Sequence, residues 1–171
     1  MTDSSAHDKI PDVYFFILIL AGLWCLAIIA APILSHLHYK ASSGLIYYFF
    51  SDLCHQMPQR SISIFNKQLA VCSRCTGLYF GFLAGLISYP VFNPLRKAEV
   101  PHKLFLVISG IPISLDIGLQ LMGIWHNTEI SRFITGFILG HTTAWYTIPG
   151  LCMIKWNKIF GSFYNEVEKL N

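Results

Sequence analysis

Charge is scarce in this chain. Lysine, arginine, aspartate and glutamate together make up 12% of its 171 residues, against about a quarter in ordinary soluble domains. With 54% hydrophobic residues, water is not its main solvent, which excludes the freely soluble enzyme classes. The net charge of +3 is small and dispersed, so nucleic acid is not an expected partner. There is no Gly-rich phosphate loop of the Walker type, no internal repeat, no low-complexity tract and no sign of a second domain. A basic amino-terminal start is also missing: Asp3, Asp8 and Asp12 outweigh Lys9. That is unlike a cleaved signal peptide, and the first apolar run is expected to stay in the chain.

What remains is hydrocarbon in four stretches. Val13 to Leu34 is 22 residues without a charge, enough to cross a core of about 30 Å at about 1.5 Å per residue. Residues 76–92 carry no charge, residues 103–123 only Asp116 beyond the leading Lys103, and residues 133–154 only His141 and Cys152 as ionisable groups. Because unpaired backbone cannot face lipid, the expected fold is all-α: one integral membrane domain, 1–171, of four transmembrane helices with a Cys/His-containing loop between spans one and two. The segment after Lys155 reads equally as a short interfacial helix or a solvated tail.

Basic residues set the expected orientation. The side holding both termini and the 93–102 loop carries seven lysines and arginines, the opposite side five. By the positive-inside rule both termini face the cytoplasm of the cell membrane and the cysteine loop faces outward. Gly77, Gly81 and Gly85 recur every fourth residue, as do Gly136, Gly140 and Ala144. Such columns let helix backbones approach closely, either inside one bundle or against a membrane-protein partner or a second copy. Pro112 and Pro149 free the carbonyls of Ile108 and Trp145.

Intramembrane ionisable groups are costly and face a cavity or a partner. Counted from the ends of their spans, Asp116 and His141 lie at nearly the same depth in the cysteine-loop half, with Gln120 one turn above Asp116. One expectation is a pocket lined by all three. The alternatives are that Asp116 hydrogen-bonds in the bundle or pairs with Arg132, and that His141 is satisfied by a hydroxyl such as Thr142 or Thr143.

The cysteines lie above this level. Cys72 and Cys75 form a C-x-x-C just before span two, where free backbone amides and the helix dipole favour thiolates. Cys54 precedes Cys72 by 18 residues and can fold back to make three soft ligands. Zinc accepts such a set with one further nitrogen or oxygen donor. His55 is the nearest nitrogen in sequence, and His126, His141 and Asp116 are rivals. Arg60 and Arg74 are placed to line the mouth as anion or headgroup contacts, or to snorkel to interfacial phosphates. Arg132 and Gln120 complete the candidate binding set. Cys25 and Cys152, isolated in apolar spans, read as packing residues.

Cys-His-Gln from Cys54, Arg60-Ser61, Cys72-Ser-Arg-Cys-Thr-Gly-Leu-Tyr-Phe-Gly81, Asp116 with Gln120 and Gly123, and Arg132 with Gly136 and Gly140 resemble a prokaryotic multi-pass membrane family known only as a domain of unknown function. Ile62 stands where that family has an aromatic residue. The resemblance covers residues 54–140 and implies the membrane class and the residue list. The chemistry rests on the residues themselves. In one reading Cys54, Cys72 and Cys75, with His55, bind zinc over the intramembrane pocket. In a second, the thiols exchange electrons with a quinone or a partner protein, with Cys72 and Cys75 as the catalytic pair. In a third, the chain is a small transporter or accessory subunit in which Asp116 and His141 relay a proton.

Overall fold

A computed structural model describes residues 10–92, 100–124 and 126–153, with the side chains of 10–12, 152 and 153 left out. The tail after Lys155 and the Cys152 side chain lie outside these residues. Five α-helices run through the described chain: α1 (Ile10–His36), α2 (Lys40–Ser51), α3 (Ser73–Phe92), α4 (Leu104–Leu121) and α5 (Glu129–Met153). Between α2 and α3 come a single 3-10 turn, Pro58–Arg60, and two short strands, β1 (Ser63–Ile64) and β2 (Lys67–Gln68).

Three of these helices are long and apolar enough to cross a membrane: Val13–His36 within α1, Ser73–Phe92 and Leu104–Leu121. Each coincides with an expected span to within a turn. The fourth expected span corresponds to α5, whose 25 residues reach about 37 Å but are diluted by Ser131, Thr135, His141, Thr142, Thr143 and Thr147. The reason is its position. α5 packs against both α3 and α4, so its polar side chains meet protein rather than lipid.

The glycine columns meet each other within one chain. A Cβ on Gly77 or Gly81 would strike the backbone of Phe133 or Phe137, and one on Gly85 would strike the His141 carbonyl. In return, a Cβ on Gly136 or Gly140 would strike the carbonyl of Arg74 or Leu78. The small residues therefore bring α3 and α5 into backbone contact. While that contact stands, neither column is free for a second copy. By contrast α4 is an edge helix, with Phe105, Val107, Ile108, Leu115 and Leu121 exposed, as suits a face turned to lipid.

The segment between the first two spans, expected as a loop, is built. α1 closes where His38 takes φ +66° and the Tyr39 amide donates back to the Leu34 carbonyl at 2.9 Å, the usual left-handed helix stop. α2 then folds back onto α1. Ser43 Oγ donates to the Ala31 carbonyl at 2.9 Å, and Phe50, 1% exposed, meets Trp24 edge-on at 5.1 Å. At 12 residues α2 is too short to span, and its amino-terminal Lys-Ala-Ser-Ser-Gly reads as loop composition.

β1 and β2 pair antiparallel, Ser63 opposite Gln68 and Ile64 opposite Lys67. The two-residue turn between them has positive φ at both Phe65 (52°) and Asn66 (58°), as a type I′ hairpin requires. The Phe65 ring stacks on His36 at 4.7 Å, tying the hairpin to the end of α1. Two apolar clusters result. One gathers Ile28, Ala31, Phe50, Cys54, Leu69 and Val71 at the loop end, and the other gathers Tyr14, Leu86, Tyr89, Ala144 and Ile148 toward the opposite end of the bundle.

Candidate metal centre

Local structure brings three cysteines together from two directions. The carboxyl end of α2 delivers Cys54, whose amide donates to the Phe50 carbonyl at 2.9 Å. Cys72 and Cys75 bracket the first turn of α3. There Thr76, 3% exposed, returns both its amide (2.8 Å) and its hydroxyl (3.0 Å) to the Cys72 carbonyl. The three Sγ atoms all lie within 4.8 Å of one another, a group able to hold a metal ion. The Cys72 amide donates to Cys54 Sγ at 3.2 Å, an outer interaction that stabilises a thiolate. Hydrogen bonds from the Cys54 and then the Cys75 side chain hold the Cys72 thiol well below its ordinary range.

His55 is exposed and is not in this group. Nor are His126, which is exposed, His141 or Asp116. The reason at His55 is backbone direction: Cys54 turns inward at the end of α2, and the adjacent side chain then diverges from it. The next residue, Gln56, holds φ +48°, a conformation uncommon outside glycine, and is pinned on both sides. Its Nε2 donates to the Tyr47 carbonyl at 2.7 Å, and its carbonyl accepts from Gln68 Nε2 at 3.1 Å. Tyr47 closes the circuit by donating its hydroxyl to the Gln68 carbonyl. Gln56 and Gln68 are thus the residues that sequence reading missed as supports of the site, and the Cys-His-Gln word was the available signal.

The structure separates the expected Asp116, Gln120 and His141 pocket into two places. Asp116, with a side chain 7% exposed, pairs with Arg74 at 2.5 Å. It also accepts from Asn127 Nδ2 at 2.7 Å and from Ser131 Oγ at 3.0 Å. Gln120 joins the same network through Asn127 at 3.2 Å. His141 lies ten residues beyond Ser131 on α5, about 15 Å deeper, and its Nε2 shares a hydrogen bond with Ser88 Oγ at 3.1 Å. Equal depths were expected from span ends. The Ser131–Asp116 bond instead sets Asp116 beside the first turn of α5.

Two further expectations are corrected. The cation paired with Asp116 is Arg74, not Arg132, because the middle of the C-x-x-C points across to α4. The hydroxyl on His141 comes from Ser88 on α3. Thr142 and Thr143 spend theirs on the Ile138 and Gly140 carbonyls of their own helix. The cavity beneath the cysteines, about 320 Å³, is apolar, bounded by Trp24, Cys25, Leu78, Tyr79, Phe82 and Thr143 among others, and none of Asp116, Gln120 or His141 lines it.

Residues 54–146 match the family model described as predicted membrane protein (DUF2085), a match over more than half of the chain that begins on the first clustered cysteine. The chain belongs to this DUF2085 family. It is 40% identical over 141 residues to an uncharacterised protein of Methanocaldococcus jannaschii, covering 80% of this chain and 90% of that one. It is 34% identical over 91 residues to an uncharacterised protein of Methanothermobacter thermautotrophicus, covering 53% of this chain and 80% of the relative. No solved structure matches. The matched DUF2085 region holds the cysteine group, the Asp116 network and the α3–α5 contact together.

Proposed function

We propose that this DUF2085 protein is a four-span membrane protein that holds a zinc ion through Cys54, Cys72 and Cys75 at one face of its bundle. The observation that carries the reading is the approach of three sulfurs to within 4.8 Å of one another from segments 18 residues apart. Sulfurs on a tetrahedral zinc with bonds of about 2.3 Å stand about 3.8 Å apart, so closure requires a shift of at most about one ångström. The backbone amide on Cys54 Sγ supplies the outer-shell contact that such ligands generally have. Three protein donors leave one position for water or a substrate atom, the arrangement of catalytic rather than structural zinc. α5 serves as the fourth span, and the packing of α2 and the hairpin on α1 holds the metal loop in place.

Metal analysis of the purified full chain under reducing conditions tests this. About one equivalent of zinc is expected, lost in each of Cys54→Ser, Cys72→Ser and Cys75→Ser together with a lowered Tm, because a ligand bound only by the folded state stabilises it by mass action. Metal-free protein that forms a reversible disulfide would instead establish the thiol-exchange reading, for which Cys72 is the thiolate and Cys54 or Cys75 the resolving partner. Wild-type protein with neither zinc nor disulfide cycling would sink both.

A further inference from the structure

The first turn of α3 gathers arginines as well as cysteines. Arg74 sits in that turn and points to Asp116. Arg60 ends the 3-10 turn, and its carbonyl accepts from Ser73 Oγ at 3.0 Å, which fixes it one residue from Arg74. Arg132 lies one turn above Gly136, the glycine whose missing Cβ makes room for the Arg74 carbonyl. The three therefore converge from a loop, α3 and α5. Arg60 and Arg74 bear on Arg132 as like charges, with Asp116 and Cys72 as the opposing groups.

Arg132 is only 7% exposed. The Arg74 Nε is buried without a hydrogen-bond partner among the described residues. Desolvated guanidinium N–H groups without acceptors are costly. Asp116 cancels one of the three positive charges. Arg60 is exposed and Arg132 is buried. The start of α3 is also where a bilayer carries its phosphates, since Ser73 begins a span.

We infer that Arg60, Arg74 and Arg132 form a binding site for a phosphoryl oxyanion, beside but separate from the cysteine group. Guanidinium forks suit tetrahedral phosphoryl oxygens because each offers two parallel donors. Such a group would accept from the unpaired Arg74 Nε and from Arg132, and would supply the missing negative charge. Asp116 takes Nη2 of Arg74, which leaves Nε of Arg74, with Arg60 and Arg132, for the anion. The phosphoryl group belongs either to a lipid head or to a free phosphate, and the chemistry is common to both.

The test uses the full chain in detergent and in nanodiscs. In detergent, inorganic phosphate is expected to raise the Tm relative to chloride at matched ionic strength. In nanodiscs of phosphatidylcholine and phosphatidylglycerol in equal parts, the protein is expected to be more stable than in phosphatidylcholine alone. A response to phosphate alone assigns the site to a free phosphoryl compound, and a response to phosphatidylglycerol alone assigns it to a lipid head. Either supports the site if Arg60→Gln and Arg132→Gln each weaken the response about tenfold, the loss of one charge-assisted contact. If Arg132→Gln does not fold, the exposed Arg60→Gln decides. No response from wild-type protein to either probe, or responses unchanged in the variants, overturns the proposal. Zinc content measured on the same samples keeps the two readings apart: metal lost with the phosphate response intact counts against the zinc site only.

Discussion

Cys54 reaches the C-x-x-C because the chain turns at Gln56, and single residues around that turn have separable effects. Gln56→Ala removes the donor on the Tyr47 carbonyl while keeping the costly positive φ, so zinc affinity is expected to fall roughly tenfold, as for other outer-shell supports. A competitive chelator titration reads this. His55→Ala is expected to retain full metal occupancy, since His55 is exposed and stands apart from the sulfur group; metal loss in that variant would return His55 to the ligand set. Cys25→Ala is likewise expected to keep its metal, with a modest packing loss, because Cys25 is 3% exposed within the apolar face of α1. The grouping of Cys54 with Cys72 and Cys75 was an expectation of their spacing. The separation of His55 from the sulfurs is not encoded in spacing, because a side chain's direction depends on where α2 ends, and the composition at the start of α2 is that of a loop.

Between elements, the α3–α5 contact is decided by backbone proximity. At Gly140 an added Cβ meets the Leu78 carbonyl, and at Gly81 it meets the Phe137 backbone. Neither neighbour is the movable tip of a side chain. Gly140→Ala and Gly81→Ala are therefore each expected to destabilise by about 1–3 kcal/mol, the range of core overpacking, despite alanine's better helix propensity. Gly110 on α4 and Gly22 on α1 have open space around the built Cβ, so alanine there is the matched control. Thermal unfolding in detergent, read on all four variants, separates the pairs. The α3–α4 link is electrostatic instead. Asp116→Ala strands Arg74 and removes one acceptor each from Asn127 and Ser131, with an expected loss of about 2–3 kcal/mol, below the fully buried range because the Arg74 side chain is 25% exposed.

For the molecule as a whole, the cysteine loop, the hairpin and the arginines sit at one end of the bundle, where α1 ends, α3 begins, α4 ends and α5 begins. The basic-residue count predicts that this end faces outside the cell. A membrane-impermeant thiol reagent applied to intact cells, after chelation and mild reduction, is expected to reach Cys72 and Cys75, which are partly exposed. Labelling confined to lysed cells would invert the orientation. Cys25, buried in α1, is expected to stay unlabelled in either case.

Sequence alone determined the solvent, three of the spans and the C-x-x-C pair, because each depends on local composition and spacing: a run of apolar residues is long enough or it is not, and a C-x-x-C opening a helix is near itself by construction. Tertiary structure decided the rest. Whether Arg74 or Arg132 meets Asp116, and whether Ser88 or a threonine meets His141, depends on the relative height of α3, α4 and α5. That height is set by glycines letting two backbones touch and by the Ser131–Asp116 bond. No periodicity within one helix encodes the offset between two, and an error of a few residues, at about 1.5 Å each, is enough to exchange one partner for another.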